Sequence, residues 1–217
     1  DAGPAGDRLR AAGLFVPALL LVGVGAATKS AQVPFHVWLP NAMEAPTPVS
    51  AFLHSATMVK AGVYLLGRFR PFFLPEGVEG VVPAWSWLVL VLGLVTMTVA
   101  AVLAVAATDI KELLAYSTAS HLGLITAGFG AANGLGAETG AFHVLNHASF
   151  KAALFLVAGI VAHEAGTRKI DRLSGLRHDL PVTAVIAAVA SLSMAGLPPF
   201  NGFYSKELLF EATYEVG

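Results

Sequence analysis

The chain has 217 residues, 56% of them hydrophobic and only 12% charged, with a mean hydropathy of +0.70. A soluble domain carries about 25% charged residues; half that share, together with apolar runs near the ~20 residues that cross a hydrocarbon core, marks an integral membrane protein. The formal net charge of −1 gives no electrostatic basis for binding nucleic acid, and the absence of cysteine excludes disulfides, thiolate metal sites and cysteine-ligated iron–sulfur clusters.

In chain order, residues 1–10 are polar and rich in Gly and Pro, which predicts a loop without the pattern of a signal peptide. The apolar run Leu14 to Thr28 stops at Lys29, and Pro34, Pro40, Pro46 and Pro48 interrupt the next stretch. The run is short for a full crossing. A second piece from about Pro34 to Met43 would complete it as a broken helix, spanning roughly 12–44, with Lys29 near the break. Such breaks are tolerated at membrane depth where they line a polar cavity. Thr47-Pro48 reads as an N-cap followed by Pro at the first helical position, opening a helix over 47–69. It contains His54 and Lys60, whose six-residue spacing points them to different sides of a regular helix. A loop is predicted over 71–83. Residues 84–106 form a plain apolar span, with Trp85 and Trp87 at its entrance as in an interfacial aromatic belt. Asp109 and Glu112 match a capping box that opens a helix over 109–130, with Lys111 in its first turn and His121 near its middle. The helix 134–163 follows, then a loop over 164–180. A last interrupted helix, 181–215, is broken by GLPPFNG at 196–202 and carries Lys206 after the break. The expected fold is all-α: a polytopic membrane helix bundle of about six transmembrane units, the first and last interrupted, in a single domain over 1–217. Paired breaks are the sequence pointer to inverted-repeat transporters.

The span 134–163 carries His143, His147 and Lys151 at i, i+4 and i+8, one face of an α-helix. A stripe of protonatable groups at bilayer depth is expensive, and ion or proton movement is the usual reason to keep one. Lys60 sits near mid-bilayer, where snorkelling is hard. Lys29 has the alternative of snorkelling to the interface, and His54 and His121, each alone in an apolar helix, have the alternative of being satisfied core residues. Zinc on His143 and His147 would lack a suitable third ligand, because Lys151 is a poor one. A bis-histidine haem, for example on His54 and His143, has no spacing that fixes the pairing. No metal and no cofactor is therefore expected. No nucleophile–base set or phosphate loop appears either, which argues against an enzyme with its own active site.

The stretches KSAQVPFHVWLPNAMEAPTPVSAFLHSATMVKAGVYL (from Lys29), TDIKELLAYSTASHLGL (from Thr108), HVLNHASFKAALFLVAGIV (from His143) and MAGLPPFNGFYSKELLF (from Met194) resemble the antiporter-like transmembrane subunits. That family is shared by Mrp-type multisubunit Na⁺/H⁺ antiporters and the proton-pumping arm of respiratory complex I. Lys60 in HSATMVKAG, HEAGTR at 163–168 and NGFYSKE at 201–207 make the chain most similar to the large A-type subunit of the Mrp branch. The resemblance implies a multi-pass cell-membrane subunit that exchanges Na⁺ for H⁺ within a multisubunit complex. It implies a proton relay: Lys29 as the central site of the first broken helix, Lys60 as a bridging lysine, His143, His147 and Lys151 along the long helix, and Lys206 at the second break, with His54 and Lys111 as further polar positions. It also places the 164–180 loop in the cytoplasm, which the balanced Lys/Arg counts leave open. The glutamate that pairs with the Lys29 position in the family lies on a helix before this stretch, so the chain is expected to be the central part of a longer subunit. Two alternatives remain at this point: a proton-pumping subunit of complex I or a related hydrogenase, and a haem-bearing membrane anchor.

Overall fold

The computed structural model describes residues 3–73, 84–131 and 133–214. They form helices α1 (Gly3–Ala11), α2 (Phe15–Lys29), α3 (Trp38–Asn41), α4 (Thr47–Ala51), α5 (Met58–Phe73), α6 (Ala84–Ala106), α7 (Ile110–Gly130), α8 (Gly134–Ala165), α9 (Leu176–Asp179), α10 (Pro181–Ala195) and α11 (Asn201–Tyr214). There is no β-strand among the described residues, and the chain is a polytopic membrane helix bundle. By length and composition three helical stretches among the described residues are apolar enough to cross a membrane: Thr47–Phe73, Ala84–Ala106 and Gly134–Ala165. The 21 residues of α7 rise about 31 Å, enough to cross as well. Helices α2 and α10 are shorter apolar pieces, each followed by a break and a further helical piece.

Several elements differ from the sequence expectation. Residues 3–11 are helical rather than a loop, with Arg10 joined to Asp7 at 3.2 Å and laid over the Phe15 ring. Thr47 is not the cap of its helix: Pro46 occupies that place with an extended backbone, and Thr47 is already helical. The helix from Thr47 is not regular, because a π-turn at Phe52–Ala56 separates α4 from α5. The wider turn shifts the helical phase, so His54 and Lys60 both end up buried in spite of their six-residue spacing. The expected loop at 71–83 begins later, since α5 runs through Phe73; residues 74–83 lie outside the described part. The 164–180 segment contains a 3₁₀ turn, Ile170–Arg172, and the one-turn α9.

Trp85 is the clearest reversal. Instead of sitting with Trp87 in an interfacial belt, its side chain is fully buried while Trp87 stays exposed. Trp85 stacks on Phe73 at 5.1 Å and donates Nε1–H to the Phe129 carbonyl at 3.3 Å. That joins the ends of α5, α6 and α7. A buried indole needs a partner for its N–H, and the C-terminal turn of α7 supplies a free carbonyl.

Helices α6 and α7 pack along most of their length because glycines let their backbones touch. A Cβ on Gly123 would sit 2.7 Å from the Gly93 carbonyl oxygen, and one on Gly93 would sit 2.6 Å from the Gly123 oxygen. Small residues at a helix contact are how membrane helices gain van der Waals packing where lipid offers no hydrophobic drive. Ser120 Oγ adds a hydrogen bond across the pair to the Met97 carbonyl at 3.0 Å.

One end of the bundle is tied by charge. Asp109 caps α7, accepting from the N–H groups of Lys111 and Glu112, and its other oxygen meets Arg168 Nε at 3.1 Å. Backbone bonds Ile110 N–H to Arg168 O and Ile170 N–H to Thr108 O, both 3.0 Å, zip the segment after α8 against the start of α7.

Candidate functional site

Helix α8 is the centre of the bundle, in contact with α4, α5, α7, α10 and α11. Its inward stripe is polar: His143, His147 and Lys151 are each fully buried, and Asn146 nearly so. The i, i+4, i+8 spacing puts the three titratable groups on one face as the sequence predicts, and that face looks toward α7 and α11.

His121 of α7 joins them. Its Nδ1 lies 3.0 Å from His143 Nε2, with the rings stacked at 5.3 Å and 14°. His147 approaches the same ring at 5.4 Å, and Phe150 packs against all three imidazoles. His143 Nδ1 lies 2.8 Å from Ser205 Oγ of α11. By sequence His121 is a lone histidine. The signal that points to it is its phase: Ser117 and His121 are i, i+4 on α7, and both face the α8 stripe, Ser117 accepting from Lys151.

The lysines share a mode of attachment. Lys151 Nζ donates to Ser117 Oγ and, at 3.3 Å, to the Leu114 carbonyl. Lys60 Nζ donates to the Ser55 carbonyl, at the end of the π-turn. Lys206 Nζ donates to the Met194 and Ala195 carbonyls at 2.8 and 3.2 Å, the last turn of α10 before its break. Lys111 Nζ donates to the Ala45 carbonyl at 3.1 Å. At the second break the last carbonyls of α10 are left without N–H partners, and the Lys206 ammonium there also meets the negative end of the helix dipole. Among the described residues none of these lysines forms an ion pair, although Asp109 and Glu44 act electrostatically on Lys111; the ion pairs are Arg10–Asp7 and those of Arg168 with Asp109 and Glu44.

Lys29 stands apart. It is exposed and makes no hydrogen bond or ion pair with another described residue. His54 is buried against Trp38 and Phe155, and neither of its ring nitrogens has a partner among the described residues; the same holds for the nitrogens of His147. A polar network of Asn146, Asn201 and Ser193 ties α8 to the second break, with Asn201 Nδ2 3.0 Å from Asn146 Oδ1. A cleft of about 730 Å³ opens beside Lys60 between α5 and α8, with Thr57, Tyr64, Arg68 and Glu138 on its walls.

His143 has both nitrogens engaged, by His121 and Ser205, and no described group of three or more His, Cys, Asp or Glu residues is placed to hold an ion. What the arrangement around α8 can do is hold protons at several closely spaced sites, His121, His143, His147 and Lys151, none of which forms an ion pair among the described residues.

The family model for the transmembrane region of NADH:quinone oxidoreductase/Mrp antiporter proteins matches residues 9–217. The chain belongs to this family. It is 55% identical over 211 residues to a Rhizobium meliloti protein described as a probable K⁺/H⁺ antiporter subunit of the A/B type, covering 97% of this chain and 20% of that one. It is 48% identical over 214 residues to the A-type subunit of a Na⁺/H⁺ antiporter from Bacillus subtilis, covering 94% and 26%. Among solved structures, the Mrp complex from Dietzia sp. superposes with a TM-score of 0.84 at 44% identity, covering 92% of this chain and 21% of that one. The membrane-bound sulfane sulfur reductase, an archaeal respiratory membrane complex, gives 0.84 at 28% identity, covering 93% and 41%. The chain thus spans about a fifth to a quarter of the curated relatives' length. The resemblance to the Mrp branch read from Lys60, HEAGTR and NGFYSKE agrees with these relatives, and the chain is a multi-pass membrane protein of the NADH:quinone oxidoreductase/Mrp antiporter family.

Proposed function

We propose that the chain is the central membrane part of the A-type subunit of a multisubunit cation/proton antiporter, a transporter rather than an enzyme, and that protons pass along Lys29, Lys60, His143, His147, Lys151 and Lys206 in exchange for Na⁺. The observation that carries the reading is the burial of Lys60, His143, His147 and Lys151 with no charged hydrogen-bond partner among the described residues. A buried group without a fixed counter-ion can gain and lose its proton without breaking an ion pair, and membrane proteins keep such groups where protons or ions move. Steps between groups with no direct bond, such as Lys60 to His147, would run through water, for which the partnerless nitrogens of His147 and His54 supply anchoring points. The partners are the other subunits of the complex, H⁺, the exchanged cation and the bilayer.

The test uses the complete assembly in inverted membrane vesicles. Lys29→Ala abolishes ΔpH-driven Na⁺ exchange, and retained exchange would sink the relay. The R. meliloti relative, named for K⁺, supports a second reading in which K⁺ is the exchanged ion; parallel assays with NaCl and KCl separate the two. Copurifying iron–sulfur or flavin proteins would instead place the chain in a respiratory complex.

A further inference from the structure

The second break leaves two backbone carbonyls open by sequence. A helical carbonyl accepts from the N–H four residues on, and for Met194 and Ala195 those residues are Pro198 and Pro199, which have none. The nearest N–H groups are engaged elsewhere: Gly196 N–H goes to Leu192 O and Ser193 O at 3.1 Å, and Leu197 N–H goes to Leu192 O at 3.2 Å. What meets the two oxygens is a cation, the Lys206 ammonium, at 2.8 and 3.2 Å. It reaches them because Gly202, one turn before Lys206 on the same face of α11, lets that helix close on α10; a Cβ there would overlap the Ser193 carbonyl. Gly196, in the left-handed region at φ 83°, keeps the way clear, since a Cβ on it would sit 2.9 Å from Lys206 Cδ.

We propose that the Met194 and Ala195 carbonyls form a binding site for an alkali-metal cation, Na⁺ or K⁺, and that the Lys206 ammonium is its built-in competitor. The inference rests on the exchange reading above and gives the exchanged cation a place in it. Ion and ammonium exclude each other at one pair of oxygens, and the pair holds a single positive charge with either occupant.

The chemistry of the break suits such an ion. Carbonyls at the end of a half-helix, with the negative end of its dipole behind them, are how broken membrane helices coordinate alkali cations. The side chains around them are neutral: Ser193 Oγ donates to Asn201 Oδ1, Asn201 Nδ2 to Asn146 Oδ1, and Asn146 Nδ2 to the Asn201 carbonyl. Divalent ions are held largely by carboxylates, and α10 has no acidic residue. There is also space for the competitor to leave. A cavity of about 470 Å³ between α6, α7 and α11 has Lys206 on its wall, together with the polar groups of Ser120 and His121. The lysine side chain can swing off the carbonyls into it and stay beside polar atoms.

The experiment takes the purified complete antiporter at one fixed pH and compares the parent, Lys206→Met and Lys206→Arg. Equilibrium binding of radiolabelled Na⁺ or Rb⁺ (the latter standing for K⁺) is measured, and thermal unfolding is followed in NaCl, KCl or choline chloride at equal concentration. Met has no donor and leaves the carbonyls open, whereas Arg is always charged and keeps a cation on them. Cation sites elsewhere in the complex contribute equally to both variants and cancel in the comparison. The expected result is that Lys206→Met binds one more ion per copy of this chain than Lys206→Arg. It should also melt higher in an alkali salt than in choline chloride, a shift that Lys206→Arg does not show. The salt with the larger shift names the ion that the site takes. Equal ion counts and equal salt responses in the two variants would overturn the site; loss of exchange in both would then leave the relay standing. Exchange at the parent rate in Lys206→Met would overturn the relay role of Lys206, with the binding difference still deciding the site. Should Lys206→Met fail to assemble, Lys206→Gln, also uncharged, takes its place under the same outcomes.

Discussion

The two helix breaks carry the same sequence signal and solve it differently. Each has a Pro-containing interruption with a lysine beside it. At the second break the last carbonyls of α10, Met194 and Ala195, are taken by the Lys206 amine. At the first, Lys29 is itself the last residue of α2, and the released carbonyls go elsewhere: Thr28 O accepts from Trp38 Nε1 at 3.1 Å, while Ala26 and Ala27 accept from the backbone N–H groups of Ser30 and Gln32 at 2.9 Å. One lysine is part of the wall of its break. The other is left unattached, with its amine available to a partner beyond the described residues. A lysine next to a break thus specifies neither a fixed role nor a fixed partner; which groups cap the orphan carbonyls decides.

That contrast separates function from stability, and the variants can be ranked by it. The largest effect is expected for Lys29→Ala, which removes exchange altogether yet leaves the thermal unfolding of the detergent-purified assembly unchanged, because no side-chain bond among the described residues is lost. A matching fall in melting temperature would show that Lys29 holds the break together after all. Lys206→Ala should lower both: exchange through the relay, and stability by about 1–2 kcal/mol, since two carbonyls lose a charged donor. A melting curve like the parent's would erase the difference between the breaks. Trp38→Phe tests the first break from the other side. It removes one N–H donor from Thr28 O and is expected to cost about 1 kcal/mol while exchange continues near the parent rate. The smallest effect belongs to the far end of the bundle: Glu44→Ala breaks a 3.7 Å contact between Arg168 and an exposed carboxylate and should cost less than about 0.5 kcal/mol. A loss several times larger would mean that Arg168 depends on Glu44 as well as on Asp109.

Local chemistry is legible in the sequence, and tertiary neighbours are not. Asp109 followed by Glu112 announces the start of α7 because a cap is satisfied within one turn, and Asp109 accepts from Lys111 and Glu112 N–H as that reading requires. The ends of α6 and α10 follow from apolar run length and from Gly196, whose positive φ of 83° closes α10. The His143–His147–Lys151 stripe follows from helical period alone. Trp85 reads as interfacial because its burial depends on Phe73 and Phe129, both on other helices. His121 reads as a lone residue for the same reason, since its partner is 22 residues away on α8. The π-turn before Lys60 has no signature in SAFLHSATMVK that separates it from a regular helix. Residues 3–11 read as a loop from their polarity, whereas the turn is held by Asp7 and Arg10 at i, i+3.

A fully buried lysine in α8 that exists to carry protons, and not to hold the fold, is the central claim. Lys151 tests it most directly, being wholly enclosed and held, among the described residues, by Leu114 O and the Ser117 hydroxyl. Lys151→Met keeps the length and apolar stem of the side chain and removes the proton. In vesicles bearing the complete assembly, the expected result is a correctly assembled antiporter with no ΔpH-driven cation exchange; exchange at the parent rate in that variant would contradict the claim.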